Sequence, residues 1–458
     1  MVVIIDKGHV FICKYENETA SIVKTLQQKA ASGIPGYKQS VERWLGESYR
    51  GIDDQVKAEA LKKLFEKSCV ALIYGAAGTG KSTMLDHITR YFNDKEKLFL
   101  AHTNPAIDNL QRKINSQHSE FRTIRSQISK NLTNKEYDLL VLDECSTVSN
   151  SDLIKVLEKT SFKLLVLVGD VYQIESIQFG NWFEIIRSFI QSDSVFELTT
   201  PYRTQNKPLI DFWGKVRATE DDIAESIAKN GYSTLLNNTL FESQANDEII
   251  LCLNYDGLYG INNINRFLQS RNSNVANIWR DITYKVGDPI LFFDADRFRP
   301  VIFNNLKGWI TGIVQDSAWI QFDVRLDRPL SAFDVFGVND LKWVKESIVR
   351  FTVYDLPNTS DDDDDSLNTT VPFQVAYAVS IHKAQGLEYD SVKVVITDSN
   401  EDDISHNIFY TAVTRTRSEL KIFWTPETQN KVLNKLEHKI NLKDVHLLKT
   451  RRGLVTVK

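Results

Sequence analysis

No run of about 18 apolar residues occurs in the 458-residue sequence, so it offers no candidate for a membrane-crossing helix. The opening stretch MVVIIDKGHVFICKY is interrupted by Asp6, Lys7 and His9 before it can form the apolar centre of a signal peptide. A cytoplasmic location without a membrane partner is the expectation. Cysteine is scarce: Cys13, Cys69, Cys145 and Cys252 lie far apart and form no CxxC pair, so neither a cysteine zinc site nor a disulfide framework is suggested and reduced thiols are the expectation. Positive charge in excess is also missing. With a net charge of -5 the chain cannot coat nucleic acid wholesale, and any groove for phosphates must be local. Part of the acidity sits in Asp361 to Asp365, a self-repelling run that reads as a solvated loop. No internal repeat of fixed period is present.

What the chain does have is apolar patterning. With 42% hydrophobic and 25% charged residues it can bury more than one core, and its length suggests about three domains. From residue 70 onward VALIYG, LFLA, LLVLD and KLLVLVG each end at a polar cluster and precede a helix-like segment, the pattern of a parallel sheet in an α/β domain. EIILCL, SVKVVIT and LKIFW imply a second sheet of the same kind. Between them PILFF, VIF, WITGIV and WIQFDV, separated by turns, imply a small barrel-like β insertion. The first 53 residues begin strand-like and become helix-compatible around Ala20 to Ala31; their role is not legible, and they are the place where a protein partner could dock.

The sharpest chemical signal is the stretch Gly75, Ala76, Ala77, Gly78, Thr79, Gly80, Lys81, Ser82 and Thr83, which follows the strand VALIY and opens a helix. In a P-loop of this kind, backbone N–H groups and a helix N-terminus cradle the phosphates of ATP, Lys81 reaches the β and γ oxygens, and the Ser82 hydroxyl ligates Mg²⁺. The strand LLVLD then supplies adjacent carboxylates. Asp143 would reach the magnesium ion, and Glu144 would orient or deprotonate the attacking water.

With Asp143-Glu144-Cys145-Ser146, then Gly169-Asp170 and Gln173, the chain resembles motifs II and III of the superfamily 1 helicases. Ser176 stands three residues after Gln173, where the UvrD-like branch has an aromatic, and Gly180 closes a spacing nearer to the RecD-like branch. The resemblance extends from about residue 54 to 425, with a UvrD-like C-terminal helicase domain. It implies that Gln173 senses the γ-phosphate and that Gln55 reads the adenine, a surface glutamine being the alternative. Thr103 and Asn104 resemble motif Ia, which grips nucleic acid phosphates, although Thr103 reads equally as a helix N-cap. Arg203, in LTTPYRT, resembles the motif IV arginine on the second domain, with a surface arginine as the alternative. Ser380, His382, Gly386 and Glu388 fall in a motif V-like run, and Tyr410 to Arg415 resembles motif VI. By resemblance Gly386 and Glu388 belong to the nucleotide site, Ser380 and His382 to the nucleic acid, and Arg203 and Arg415 act as arginine fingers.

The resemblance implies an α/β fold: a first RecA-like domain over residues 54–198 and a second over 199–271 and 368–434. It also implies an SH3-like β module inserted at 272–367, with 1–53 and 435–458 as flanking segments. The activity implied is ATP-driven helicase or translocase movement, 5′ to 3′ on a single strand, with DNA ahead of RNA. The segment from Thr103 to Asp143 is short for a strand-separating insertion, which makes unwinding less assured than translocation. A competing reading is an ATP-gated binding switch in a defence or repair assembly. Phe179 and Trp182, after motif III, are candidates to stack on bases, or else core aromatics.

Overall fold

The computed structural model describes residues 3–6, 9–47, 51–52, 54–114, 116–129, 135–176, 178–243, 247–293, 296–355, 368–437 and 441–457. The acidic run 361–365 lies outside the described residues. Two compact units form: Met1–Glu220 with His406–Thr411 and Glu437–Lys458, and Asp221–Ser405 with Ala412–Leu436.

The first unit is built on a six-stranded parallel sheet. Its strands run in the order Ser119–Thr123, Lys97–Ala101, Glu136–Leu142, Ser161–Gly169, Val70–Gly75 and Val195–Leu198. VALIYG is buried along its whole length because the sheet is covered on both faces. Alternate side chains enter different cores: Val70, Leu72 and Tyr74 join one cluster, while Ala71 and Ile73 join the other. The N-terminal residues complete both. Helix Cys13–Lys29 contributes Ile22, Val23 and Leu26 to the first cluster, and helix Tyr37–Glu47 contributes Tyr37 and Val41 to the second. At the other terminus, helix Leu442–Arg452 adds Leu448 to the first cluster. Its Arg451 and Arg452 donate to the buried Glu16 carboxylate at 3.2 and 2.8 Å. Both chain ends are therefore part of the body of this unit.

The second unit contains a five-stranded parallel sheet in the order Ala378–Ser380, Glu248–Cys252, Tyr389–Val395, Thr416–Phe423 and Ser233–Thr234. Its inserted segment forms a six-stranded antiparallel sheet over an aromatic-rich core that includes Tyr284, Phe292, Phe322, Phe351 and Phe373. A closed SH3-like barrel is not found among the described residues. Closure requires the first and last strands to bond to each other. Here Lys342–Lys345 pairs with Ile348–Tyr354 and Phe373–Val375 pairs with Pro289–Phe292, leaving two edges.

Candidate functional site

In a parallel sheet ligands gather at the carboxyl ends of the strands. Four adjacent strands of the first sheet deliver their polar residues there. Val70–Gly75 runs into the glycine loop, Glu136–Leu142 into Asp143 and Glu144, Ser161–Gly169 into Asp170 and Gln173, and Val195–Leu198 toward Tyr202 and Arg203.

Gly78 and Gly80 both adopt φ of 78°, a left-handed conformation that glycine takes without steric cost. Space also demands glycine at Gly78, and at Gly80 a side chain would have to displace the end of a lysine. A Cβ on Gly78 would collide with Arg203, and one on Gly80 would come within 2.7 Å of the Lys57 Nζ. Helix Lys81–Tyr91 starts immediately afterwards, so its free N–H groups open on the loop. The Lys81 Nζ donates to the Gly75 and Ala76 carbonyls at 2.7 and 2.9 Å. Burial lowers the Lys81 pKa, with the carboxylates of Asp170 and Asp143 opposing the shift. Burial likewise raises the Asp143 pKa, opposed by the Glu144 N–H and by Lys81. Thus opposite charges share a desolvated space. Ser82 is half-buried at the start of the helix, and Thr83 beside it is exposed.

Glu144 has φ of 53°, uncommon for a residue with a side chain. The bend ends the strand, with the Glu144 N–H on the Asp143 Oδ1 at 2.9 Å and its carbonyl accepting from Thr147 N. Strain of this kind concentrates at functional sites. The Gln173 Nε2 donates to the Asp170 Oδ2 at 3.4 Å, and the Tyr410 hydroxyl donates to the same oxygen at 3.3 Å. The Ala77 N–H of the glycine loop donates to the Tyr410 oxygen at 3.4 Å.

Arg203 lies within the first unit, because residues up to Glu220 pack there, although the resemblance put it on the second domain. Its neighbour Tyr202 donates its N–H to the Gly78 carbonyl at 2.6 Å and its hydroxyl to the Asp54 carboxylate at 3.0 Å. Asp54 caps the helix Gln55–Lys63, so Gln55 begins that helix and is exposed. Tyr202 is 46% exposed, with the Lys57 ammonium 4.2 Å from the centre of its ring.

Thr103 caps helix Asn104–Lys113 by accepting from Ala106 N at 3.4 Å, and its hydroxyl proton remains available to another acceptor. In the second unit the parallel register separates the motif V residues from one another. Leu251 pairs with both Val379 and Val394, so Ser380 lies level with the carboxyl end of the sheet. Glu388 and Arg415 instead precede Tyr389 and Thr416, which pair at the amino end. The Arg415 Nη1 donates to the Leu387 carbonyl at 3.3 Å, and Glu388 accepts from Arg417 at 3.4 Å. Gly386 adopts φ of 78° in the connecting turn. Ser380 is buried and its hydroxyl accepts from the Lys383 N–H at 3.1 Å, while His382 is exposed.

Of the two readings of Trp182, base stacking or core, the core one holds. Its side chain is 0% exposed and its Nε1 donates to the Val148 carbonyl at 2.7 Å, so it is a core residue. Phe179 has one face on Tyr15, with ring centres 4.3 Å apart. Sequence reasoning gave no role to Asp170, Tyr410 or Tyr202, though each stood inside a quoted motif. Lys57 and Arg217 carried no sequence signal at all, because only tertiary packing brings them to the loop.

A parallel sheet carrying a glycine phosphate loop, with paired carboxylates on the neighbouring strand, defines a P-loop nucleotide-binding protein with a RecA-like core. Residues 53–234 match the AAA domain family and residues 375–422 the UvrD-like helicase C-terminal domain family. The chain is similar in sequence to RecD and Pif1 helicases, in line with its resemblance to the RecD-like branch of superfamily 1. It is 21% identical over 472 residues to an uncharacterized protein of Methanocaldococcus jannaschii, covering 83% of this chain and 39% of that protein. It is 23% identical over 427 residues to the RecBCD enzyme subunit RecD of Buchnera aphidicola subsp. Acyrthosiphon pisum, covering 76% of this chain and 64% of that one. The chain thus spans less than two thirds of either protein. Against the ATP-dependent DNA helicase Pif1 of Campylobacter jejuni the identity is 22% over 420 residues, with coverage of 77% and 88%. In fold it is similar to the Pif1 helicase from Candida albicans, with TM-score 0.54, 18% identity and coverage of 88% and 99%. It is also similar to the Bacteroides Pif1 helicase solved with ADP-AlF3 and ssDNA, with TM-score 0.52, 16% identity and coverage of 85% and 95%.

Proposed function

We propose that this chain is an ATP-dependent DNA helicase that moves 5′ to 3′ along single-stranded DNA. One observation carries the reading: the half-buried Lys81, parked on two loop carbonyls, shares its space with the charges of Asp143 and Asp170 at the carboxyl edge of the sheet. Such a lysine is ready to exchange carbonyls for phosphate oxygens. The glycine loop then binds the phosphates, Glu144 holds and deprotonates the attacking water, and Gln173 contacts the γ-phosphate. Arg203 and Arg415 stabilise charge that develops during phosphoryl transfer. Gln55 and the ring of Tyr202 receive the base.

The oxygen donors of Ser82 and Asp143 suit Mg²⁺, and burial of the Asp143 carboxylate is a cost that a cation relieves. Ser82 and Asp143 are the residues that would hold the ion, which would be bound together with the nucleotide. When bound, the ion neutralises charge on the β and γ oxygens.

Thr103 and Asn104 on the first unit, with Ser380 and His382 on the second, grip the strand. The Ser380 hydroxyl acts by shaping the turn that presents His382. DNA as the strand is supported by the Pif1 relative, named a DNA helicase, and by the Bacteroides Pif1 structure with ssDNA. The 5′ to 3′ direction is supported by Ser176, by the His382 to Gly386 run and by the inserted β segment, features that resemble the RecD-like branch. ATP hydrolysis measured in parallel with single-stranded DNA, duplex DNA and RNA tests the proposal. Stimulation by single-stranded DNA above the other two is expected, and hydrolysis indifferent to all three contradicts it.

A further inference from the structure

Arg217 sits in the last turn of helix Lys207–Ala218, outside every motif. Its guanidinium carbon is 4.5 Å from the centre of the Tyr172 ring, and its Nη2 donates to the Glu197 carboxylate at 2.8 Å. The Arg217 side chain is only 19% exposed, whereas that of Glu197 is 45% exposed, so the Tyr172 ring contact is the one that does not depend on an open ion pair. Burial opposes its charge, but Asp170, Tyr410 and Glu197 more than compensate and raise its pKa.

These contacts link two parts of the nucleotide site. Glu197 pairs in the sheet with Tyr74, next to the first glycine of the loop. Tyr172 belongs to the turn that carries Gln173. The bonds inside that turn are long, with Tyr172 N to the Asp170 carboxylate at 3.2 Å, Gln173 N to the Asp170 carbonyl at 3.3 Å and the Gln173 Nε2 to the Asp170 Oδ2 at 3.4 Å, and its far end is tied by Ile174 N to the Thr411 hydroxyl at 3.0 Å. The residue before Arg217 closes the frame. The Val216 carbonyl meets the His406 Nε2 at 2.7 Å, and Tyr410, one turn along the same helix as His406, bonds to Asp170.

We propose that Arg217 is a positioning residue for hydrolysis, bracing the Tyr172–Gln173 turn against the sheet that carries the phosphate loop, so that Gln173 meets the γ-phosphate in one orientation. The inference rests on the ATPase reading above and adds a residue to it. A cation over an aromatic ring supplies this stiffness because the contact is lost when the turn shifts.

The test measures kcat and KM for ATP, ADP affinity and Tm for Arg217→Ala, Arg217→Lys and Tyr172→Leu, each alone and combined with Gln173→Ala. Arg217→Ala is expected to lower kcat about tenfold or more with KM and ADP affinity nearly unchanged, and Arg217→Lys to lose less. Tyr172→Leu, which removes the ring from the other side, is expected to match Arg217→Ala. In the Gln173→Ala background neither change should lower kcat further, because the residue it positions is already gone. Equal fold-losses in both backgrounds, a normal kcat in Arg217→Ala, or a loss that follows Tm and KM together overturns the proposal. A wild-type chain that hydrolyses no ATP overturns the ATPase reading itself, whereas an active wild type with an equally active Arg217→Ala overturns the positioning role alone.

Discussion

Lys81, Asp143 and Glu144 each occupy an unfavourable position: a desolvated ammonium, a desolvated carboxylate and a glutamate in left-handed backbone. Charges are buried at such a cost where a ligand relieves it. The two ends of the chemistry should therefore separate by mutation. Lys81→Ala removes the cation at the phosphates and should lose both ATP affinity and turnover. Glu144→Gln keeps the shape of the site but not the base, and should bind ATP and the strand while turnover falls by about two decades or more. Fluorescent-nucleotide binding and phosphate release on the same samples distinguish the two, and wild-type turnover in Glu144→Gln removes Glu144 from catalysis. His382 makes a different prediction. Although the residue is exposed, partial covering of its ring lowers its pKa below the usual 6.5, so at pH 7.5 it is neutral and releases no counterion on strand binding. The slope of log affinity against log salt should therefore be the same for His382→Gln and wild type at that pH. A shallower slope in the variant would mean that the imidazole is charged.

At the scale of elements, the terminal helices and the segment after motif III are where packing decides behaviour. Glu16, buried between Arg451 and Arg452, joins the first helix to the last. Glu16→Ala should destabilise the first unit by about 1–3 kcal/mol in urea melts, the arginines being partly exposed and able to find water. It should also open the C-terminal helix to trypsin at Lys449; an unchanged digestion pattern would contradict the clasp. Trp182→Ala should cost about 3–5 kcal/mol, as a large buried ring with a hydrogen bond to lose. The strand affinity of the folded fraction should be unaltered. The strands around the site were legible from apolar runs ending in polar clusters, because a doubly covered parallel strand leaves that mark in sequence. Trp182 was not, since an aromatic at a helix start looks the same whether it faces solvent or core. In the inserted segment PILFF, WITGIV and WIQFDV read correctly as strands while VIF lies in a turn, and whether the sheet edges meet depends on register between distant strands, which no local pattern encodes. Arg217 and Lys57 escaped for the related reason that their neighbours come from remote parts of the chain.

For the whole molecule, a motor needs nucleotide chemistry and strand binding on the same chain. The nucleotide residues cluster at the carboxyl edge of the first sheet, whereas in the second sheet Glu388 with Arg415 and Ser380 with His382 lie at opposite ends. Because the chain carries net charge -5, strand affinity should come from a few local phosphate contacts and fall steeply with salt. Fluorescence anisotropy across a salt series checks this, and a flat response would rule out a phosphate-tracking groove. The most direct test of the central claim is displacement of streptavidin from single-stranded DNA biotinylated at one end or the other. ATP-dependent release should be faster from the 3′ end than from the 5′ end, and Glu144→Gln should release from neither. Faster release from the 5′ end would contradict the direction, and no ATP-dependent release by the wild-type chain from either end would contradict the motor itself.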